Sequence, residues 1–323
     1  MRPRRRPTST TLVLAIWGLN VFGVLVILLA LMVYWARQSV QAAPQQTATV
    51  TSLPSLTPLP TRYNLPTVTR NPLSTEIVVE TPTPFVFSNT SRALSIGMSV
   101  SGRPIEVYTF GVGERKMMIV AGIHGGYEWN TIALADQMIL YLTDHPEAIP
   151  SDVTLYILRN LNPDGDARDH GIDGRVNDHG VDLNRNFPVN WSAAWDRAGC
   201  FDQAPTTSGI GPGSEPETVA VMNFLIYHRI EALISYHSAA LGIFPGGSPW
   251  DSESVRLAQR IAEVSDYPYP PIETGCVYTG TLADYAVSRG AAAVDMELSD
   301  HQHTEFRTNL RVLNVLLNFR KQE

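Results

Sequence analysis

The sequence predicts an α/β domain whose sheet is mostly parallel and covered by helices on both faces. Three observations predict it. Apolar runs of strand length alternate with amphipathic stretches of helix length, the pattern of strands joined through crossover helices. One of those runs, KMMIVAGI at 116–123, is almost continuously apolar, as a strand buried on both sides requires. Chemically capable side chains stand near the carboxyl ends of four separate runs, where open α/β sheets bind their ligands.

The elements follow in order. IEVYTFG (105–111) and KMMIVAGI read as strands, the second ending at a glycine-rich turn. A helix is expected from about Trp129 to Asp144, with Ile132, Leu134, Met138, Leu140 and Leu142 supplying much of its apolar content. VTLYILRN (153–160) is a strand, and a long loop rich in Asn, Asp and Gly follows it. SEPETVAVMNFLIYHR (214–229) is helical, with Ser214 and Glu217 spaced as a capping box. EALISYHS (231–238) is a strand, SESVRLAQRIAEVS (252–265) a helix and AAAVDMEL (291–298) a strand. An amphipathic helix from about Thr304 closes the chain, and no internal repeat is visible.

The first 88 residues differ in kind. Residues 1–10 form a basic tail, and Thr11 to Ala36 carry no charge, with Asn20 the main polar interruption. That run exceeds the roughly 20 residues needed to span a bilayer. The arginines before it place the N-terminus in the cytoplasm and the rest of the chain outside. An uncleaved single-pass anchor is therefore expected, with a secreted product after cleavage near Val40-Gln41-Ala42 as the alternative. Residues 37–88 are rich in Pro, Thr and Ser and read as an extended extracytoplasmic linker. The globular domain is expected at 89–323. A net charge of −7 and the lack of a basic cluster beyond the N-terminus argue against a nucleic-acid partner. Cys200 and Cys276 are the only cysteines, too few for a cysteine zinc site. Their pairing stays open.

Catalytic zinc takes three protein ligands from His and carboxylates. His124 and Glu128 in GIHGGYEWN offer a pair, the glycines allowing the backbone to bend between them. His237 ends the strand ALISYH and is the expected third ligand, because an imidazole buried there without a partner is costly. His170 and His179 are reserve ligands in the long loop; the other histidines read as surface residues. Glu297 is a carboxylate among apolar residues at a strand end, where burial raises its pKa to suit a general base. The loop RVNDHGVDLNRNFPVNW adds Arg175, Asn184 and Arg185, donors fit for an anionic substrate end and a developing oxyanion. Asp182 is placed to accept a hydrogen bond from a zinc-bound imidazole.

With these residues in view, the chain resembles the zinc carboxypeptidase family of the carboxypeptidase A type, including its bacterial murein peptide amidase branch. SVSGRPIEVYTFG, GIHGGYEW, NPDG (162–165), GVDLNRNFP, SEPET, SYHS and the MEL around Glu297 occur in the family's order between Ser99 and Leu298. The resemblance implies a mixed sheet of about eight strands. It also implies one zinc ion on His124, Glu128 and His237, Glu297 as the base that activates water, and Arg175 as the residue polarising the scissile carbonyl. Asn184 and Arg185 match the pair gripping the substrate's terminal carboxylate, and Tyr278 the mobile tyrosine that closes over it. Three features depart from the family's pattern, the first being that the segment around Tyr278, GCVYTGTLADYA, matches it only loosely. His124 and Glu128 are separated by one residue more than usual, and the specificity position falls at Ala283, before Asp284-Tyr285, where no charge favours a basic side chain.

The expected function is zinc-dependent hydrolysis of the C-terminal peptide bond of extracytoplasmic peptides bearing a free carboxylate. A murein peptide amidase acting on cell-wall stem peptides is the enzymatic alternative. A tethered binding module with a decayed site is the alternative from another class, although no ligand or base is missing.

Overall fold

The computed structural model of the chain describes residues 93–194, 206–239 and 242–322. Seven strands form one sheet in the order β1-β2-β4-β3-β5-β7-β6: β1 (Ala93–Met98), β2 (Pro104–Gly111), β3 (Arg115–Val120), β4 (Val153–Leu158), β5 (Ala232–Ser238), β6 (Ile243–Pro245) and β7 (Ala292–Leu298). β4, β3, β5 and β7 run parallel to one another at its centre. β1 pairs antiparallel with β2, β2 with β4, and β6 with β7. The sheet is thus evenly mixed rather than mostly parallel, and it has seven strands among the described residues rather than eight. Both corrections come from its edges. β1 and β2 are linked by the tight turn Ser99–Arg103, whose ends exchange a 2.8 Å backbone bond from Ser99 N to Arg103 O, and so they must run antiparallel. β6 is three residues long and ends in a proline, too short to carry a period-two signal.

Helices α1 (Trp129–Asp144), α2 (Pro163–Arg168), α3 (Pro216–His228), α4 (Ser252–Ala262), α5 (Leu282–Ser288) and α6 (Phe306–Asn318) complete the described elements. Alternation along the central strands divides the core in two. Met117, Ile119, Leu155, Ile157 and Ile234 pack with α1, α4 and α6, while Met118, Val120, Tyr156, Leu158 and Leu233 pack with α3 and α5. Every residue of β4 and β5 is buried, the two-sided burial that long apolar runs predict.

The capping box at Ser214 and Glu217 does not form. Pro216 fixes the first turn of α3, Glu215 takes the cap position without a side-chain cap bond, and Ser214 Oγ donates to Glu215 Oε1 at 2.6 Å. Glu217 turns inward, accepting from Val100 N at 3.0 Å and Asn177 Nδ2 at 3.2 Å, which ties α3 to the β1–β2 turn and to the long loop. The expected tail, anchor and linker lie outside the described residues. Among the described residues no helix is long and apolar enough to cross a membrane. Cys276 is disulfide-bonded, and Cys200, the chain's other cysteine, lies outside the described residues.

Candidate active site

The parallel strands point their carboxyl ends at one rim, and the predicted ligands gather there. After β3 the chain reaches His124, which leads into a 3-10 turn, Gly125–Glu128, that runs directly into α1. Gly125 has φ +47°, and a Cβ there would lie 2.7 Å from Gly174 O; a Cβ on Gly126 would lie 2.0 Å from Asp169 O. The two glycines therefore let a tight turn press against the loop after β4. That turn absorbs the extra residue between His124 and Glu128, bringing Nδ1 and Oε1 to 2.7 Å. His237, from the end of β5, places its Nδ1 3.3 Å from His124 Nδ1 and 3.3 Å from Glu128 Oε2.

These three residues are buried, with ligand atoms all within 4.8 Å of one another. Ligands about 2 Å from a tetrahedral zinc stand roughly 3.3 Å apart, as the two Nδ1 atoms do. Glu128 Oε2 is buried without a hydrogen-bond partner. The outward nitrogens are engaged instead: His124 Nε2 lies 3.2 Å from Asp182 Oδ1, and His237 Nε2 lies 3.1 Å from Ser235 Oγ. Two imidazoles and a carboxylate aimed at one point, each imidazole braced from behind, fit a zinc ion. Burial alone would raise the Glu128 carboxyl, but the adjacent His124 and His237 outweigh it and hold it below the carboxylate range.

The loop after β4 supplies the guanidinium groups. Asn162 caps α2 by accepting from Gly165 N at 2.9 Å, and its Nδ2 donates to Arg175 O at 3.1 Å, which anchors Arg175 to the start of the loop. Arg175 grips Asp182 Oδ2 through Nε at 3.0 Å and Nη2 at 2.9 Å, with Nη1 3.7 Å from Glu128 Oε1. Burial opposes its charge, yet Asp182 and Glu128 raise its pKa. Asp182 also accepts from Asn184 N at 3.0 Å, starting the 3-10 turn Leu183–Arg185. Asn184 Oδ1 accepts from Leu282 N at 2.8 Å, fixing the loop to the start of α5, and Arg185 lies 5.2 Å from the centre of the Tyr278 ring.

β7 stands beside β5 with Glu297 in register with His237. Burial is the largest influence on the Glu297 carboxyl; His237 lowers it, the neighbouring Glu128 and Asp295 carboxylates raise it, and the result is about 8. All the predicted ligands, Arg175, Asn184, Arg185, Tyr278 and Glu297 line one cavity of about 610 Å³; Asp182 stands behind it. His170 and His179 do not join them. His170 stacks on Trp129 and pairs with Asp166, and His179 pairs with Glu215 at 2.7 Å. Two residues of the lining were missed from sequence. Asp295 is two positions before Glu297, so strand alternation puts it on the same face. His301, expected at the surface, instead lines the cavity with Nδ1 3.0 Å from Ser238 Oγ; it follows the strand end by a turn and carries no periodic signal.

Comparison with known proteins agrees with this geometry. The family model described as zinc carboxypeptidase matches residues 86–314. Carboxypeptidase A6 of Mus musculus is 29% identical over 67% of this chain and 57% of its own length. Murein peptide amidase A of Escherichia coli (strain K12) is 31% identical over 44% of this chain and 57% of its own. The chain thus spans a little over half the length of these curated relatives. Among solved structures, bovine thrombin-activatable fibrinolysis inhibitor, in complex with tick carboxypeptidase inhibitor, aligns with TM-score 0.55 at 22% identity over 70% of this chain and 88% of that one. Murein-tripeptide amidase from Escherichia coli O157 aligns with TM-score 0.53 at 20% identity over 74% and 96%. These two show a shared fold, and the family match over most of the chain shows kinship: the chain belongs to the zinc carboxypeptidase family.

Proposed function

We propose that this protein hydrolyses the C-terminal peptide bond of peptides with a free carboxylate, on the outer side of a membrane to which residues 11–36 anchor it. The observation that carries the reading is one cavity holding a three-ligand cluster, a raised carboxyl and two guanidinium groups. Zinc on His124, Glu128 and His237 would supply the Lewis acidity that polarises the carbonyl and acidifies water. Arg185 and Asn184 bind the terminal carboxylate, and so set which bond lies beneath Glu297. Tyr278 covers Arg185 and shields that pairing from water. Arg175, held by Asp182, donates to the carbonyl oxygen as negative charge develops there. Glu297 takes the proton of the attacking water and delivers it to the leaving amine as the C–N bond breaks.

The murein peptide amidase reading has a specific observation of its own, since the alignment spans 96% of that amidase structure. It needs the same steps at a cell-wall stem peptide. Incubating the full-length zinc-loaded protein with a blocked dipeptide and with purified wall stem peptides separates the two. Release of a free amino acid from the dipeptide is the expected result. Release from the wall peptides alone would replace the carboxypeptidase reading by the amidase one.

A further inference from the structure

β7 ends at Leu298, and the segment after it, residues 299–305, is tied down at several points. Ser299 donates to Glu305 through N at 3.1 Å and Oγ at 2.7 Å, and the buried Tyr267 donates its hydroxyl to the same carboxylate at 2.8 Å. Asn130, fully buried at the start of α1, donates from Nδ2 to Asp300 O at 2.6 Å and to His303 O at 3.0 Å. Between those two carbonyls the segment carries His301 into the wall of the cavity. The hydrolysis proposed above gives His301 no task.

The hydrogens of this network fix what His301 offers. Asn130 Nδ2 faces two carbonyl oxygens, so Oδ1 is the acceptor end of its amide. Ser238 Oγ, itself buried, donates its only hydrogen to Asn130 Oδ1 at 2.9 Å. No second hydrogen is left for the imidazole, so His301 Nδ1, 3.0 Å from Ser238 Oγ, is the donor of that pair. A neutral imidazole protonated on Nδ1 carries a bare lone pair on Nε2. Among the described residues nothing bonds to His301 Nε2. The cavity wall therefore presents an acceptor that only a donor from outside the protein can meet.

Its place along a bound peptide follows from its neighbours. Arg185 and Asn184, assigned above to the terminal carboxylate, lie beside Tyr278 and the start of α5. His301 stands instead between Ser238, next to the ligand His237, and Tyr127, next to the ligand Glu128, with ring centres 4.7 Å apart in the second case. Tyr127 in turn borders Arg175, 5.8 Å from its ring centre, and Arg175 is assigned to the scissile carbonyl. The residue contributing that carbonyl thus lies on the His301 side of the cluster.

We propose that His301 Nε2 accepts the backbone N–H of the residue that contributes the scissile carbonyl, and so selects substrates with an amide on the acyl side of the bond. The inference rests on the peptidase reading above. The peptide is then held at two points, by its carboxylate at Arg185 and by this N–H at His301, with the scissile bond between them.

The test compares acetyl-alanyl-leucine with acetyl-lactyl-leucine, in which that one N–H is replaced by an ester oxygen and the scissile amide is kept. Calorimetry on full-length zinc-loaded Glu297→Gln measures binding without turnover. The alanyl compound should bind about three- to ten-fold more tightly, the size of one neutral hydrogen bond, and adding His301→Phe should abolish the difference. Equal binding of the two compounds, or a preference that survives His301→Phe, would overturn the proposal. Histidine ring-nitrogen NMR of the wild type, assigned against His301→Phe, checks the acceptor directly: a neutral His301 should carry its proton on Nδ1, and a proton on Nε2 would overturn the proposal as well. A binding preference accompanied by no wild-type turnover of either compound would uphold His301 as the acceptor and reject the peptidase reading instead.

Discussion

Changing Asp182 to Asn keeps the side chain's volume and removes its charge from the most connected point behind the site. Asp182 joins His124 Nε2 at 3.2 Å, Asn184 N at 3.0 Å, and Arg175 through Nε at 3.0 Å and Nη2 at 2.9 Å. Two effects follow. Loss of the carboxylate behind a zinc-binding imidazole lowers zinc affinity by about 10–100-fold, or roughly 1.4–2.7 kcal/mol. Arg175, with its side chain 8% exposed, also loses its main counter-charge. Breaking such a buried pair costs about 3–5 kcal/mol, and the low end applies because Glu128 Oε1 remains 3.7 Å from Nη1. Competition against a chelator of known affinity measures the first effect, and urea unfolding of the metal-free protein the second. Asp178→Asn is the control, since Asp178 pairs with Arg168 away from the ligands and should leave zinc affinity unchanged. Zinc affinity of Asp182→Asn within about two-fold of wild type would refute the bracing role assigned to Asp182.

Gly126→Ala should destabilise the protein by about 1–3 kcal/mol and weaken zinc binding, because the new Cβ would sit 2.0 Å from Asp169 O; an unchanged thermal midpoint would contradict the tight turn. Arg185→Met should raise KM for peptides with a free C-terminus by roughly 10–100-fold with a smaller change in kcat, and should not affect amidated peptides; a loss confined to kcat would remove Arg185 from the carboxylate site. Glu297 titrates near 8 in the folded chain against 4.5 ordinarily, so over that range the folded state holds a proton that the unfolded state has released. The metal-free protein should therefore lose stability as pH rises from about 4.5 to 8, and Glu297→Gln should flatten that slope; parallel pH profiles would refute the desolvation and neighbouring carboxylates held to raise the Glu297 carboxyl.

Strand ends proved the most legible feature because they depend only on the period and extent of apolar runs. KMMIVAGI and ALISYH could be placed at the sheet centre, and His124, His237 and Glu297 at its rim, since burial on both faces leaves few other arrangements. What sequence missed has short range or weak contrast. β1 is half exposed and interrupted by a bulge between Ser95 and Gly97, and α5 is seven residues long. The Ser214–Glu217 spacing suited a cap, but Glu217 is drawn away by Val100 and Asn177, distant in sequence, an override that local pattern cannot contain. The widened His124–Glu128 spacing became intelligible only with the 3-10 turn, whose tightness is set by contact with Asp169 and Gly174. Asp295 was accessible in principle, because the alternation that turns Glu297 to the cavity turns Asp295 there as well.

The most direct measurement pairs zinc content with kcat in Glu297→Gln, using a peptide with a free carboxyl end. One zinc per chain is expected in both wild type and variant, with kcat lower in the variant by about 10²–10⁴-fold, the share of a general base. A variant that retains zinc and hydrolyses the peptide at the wild-type rate would contradict it.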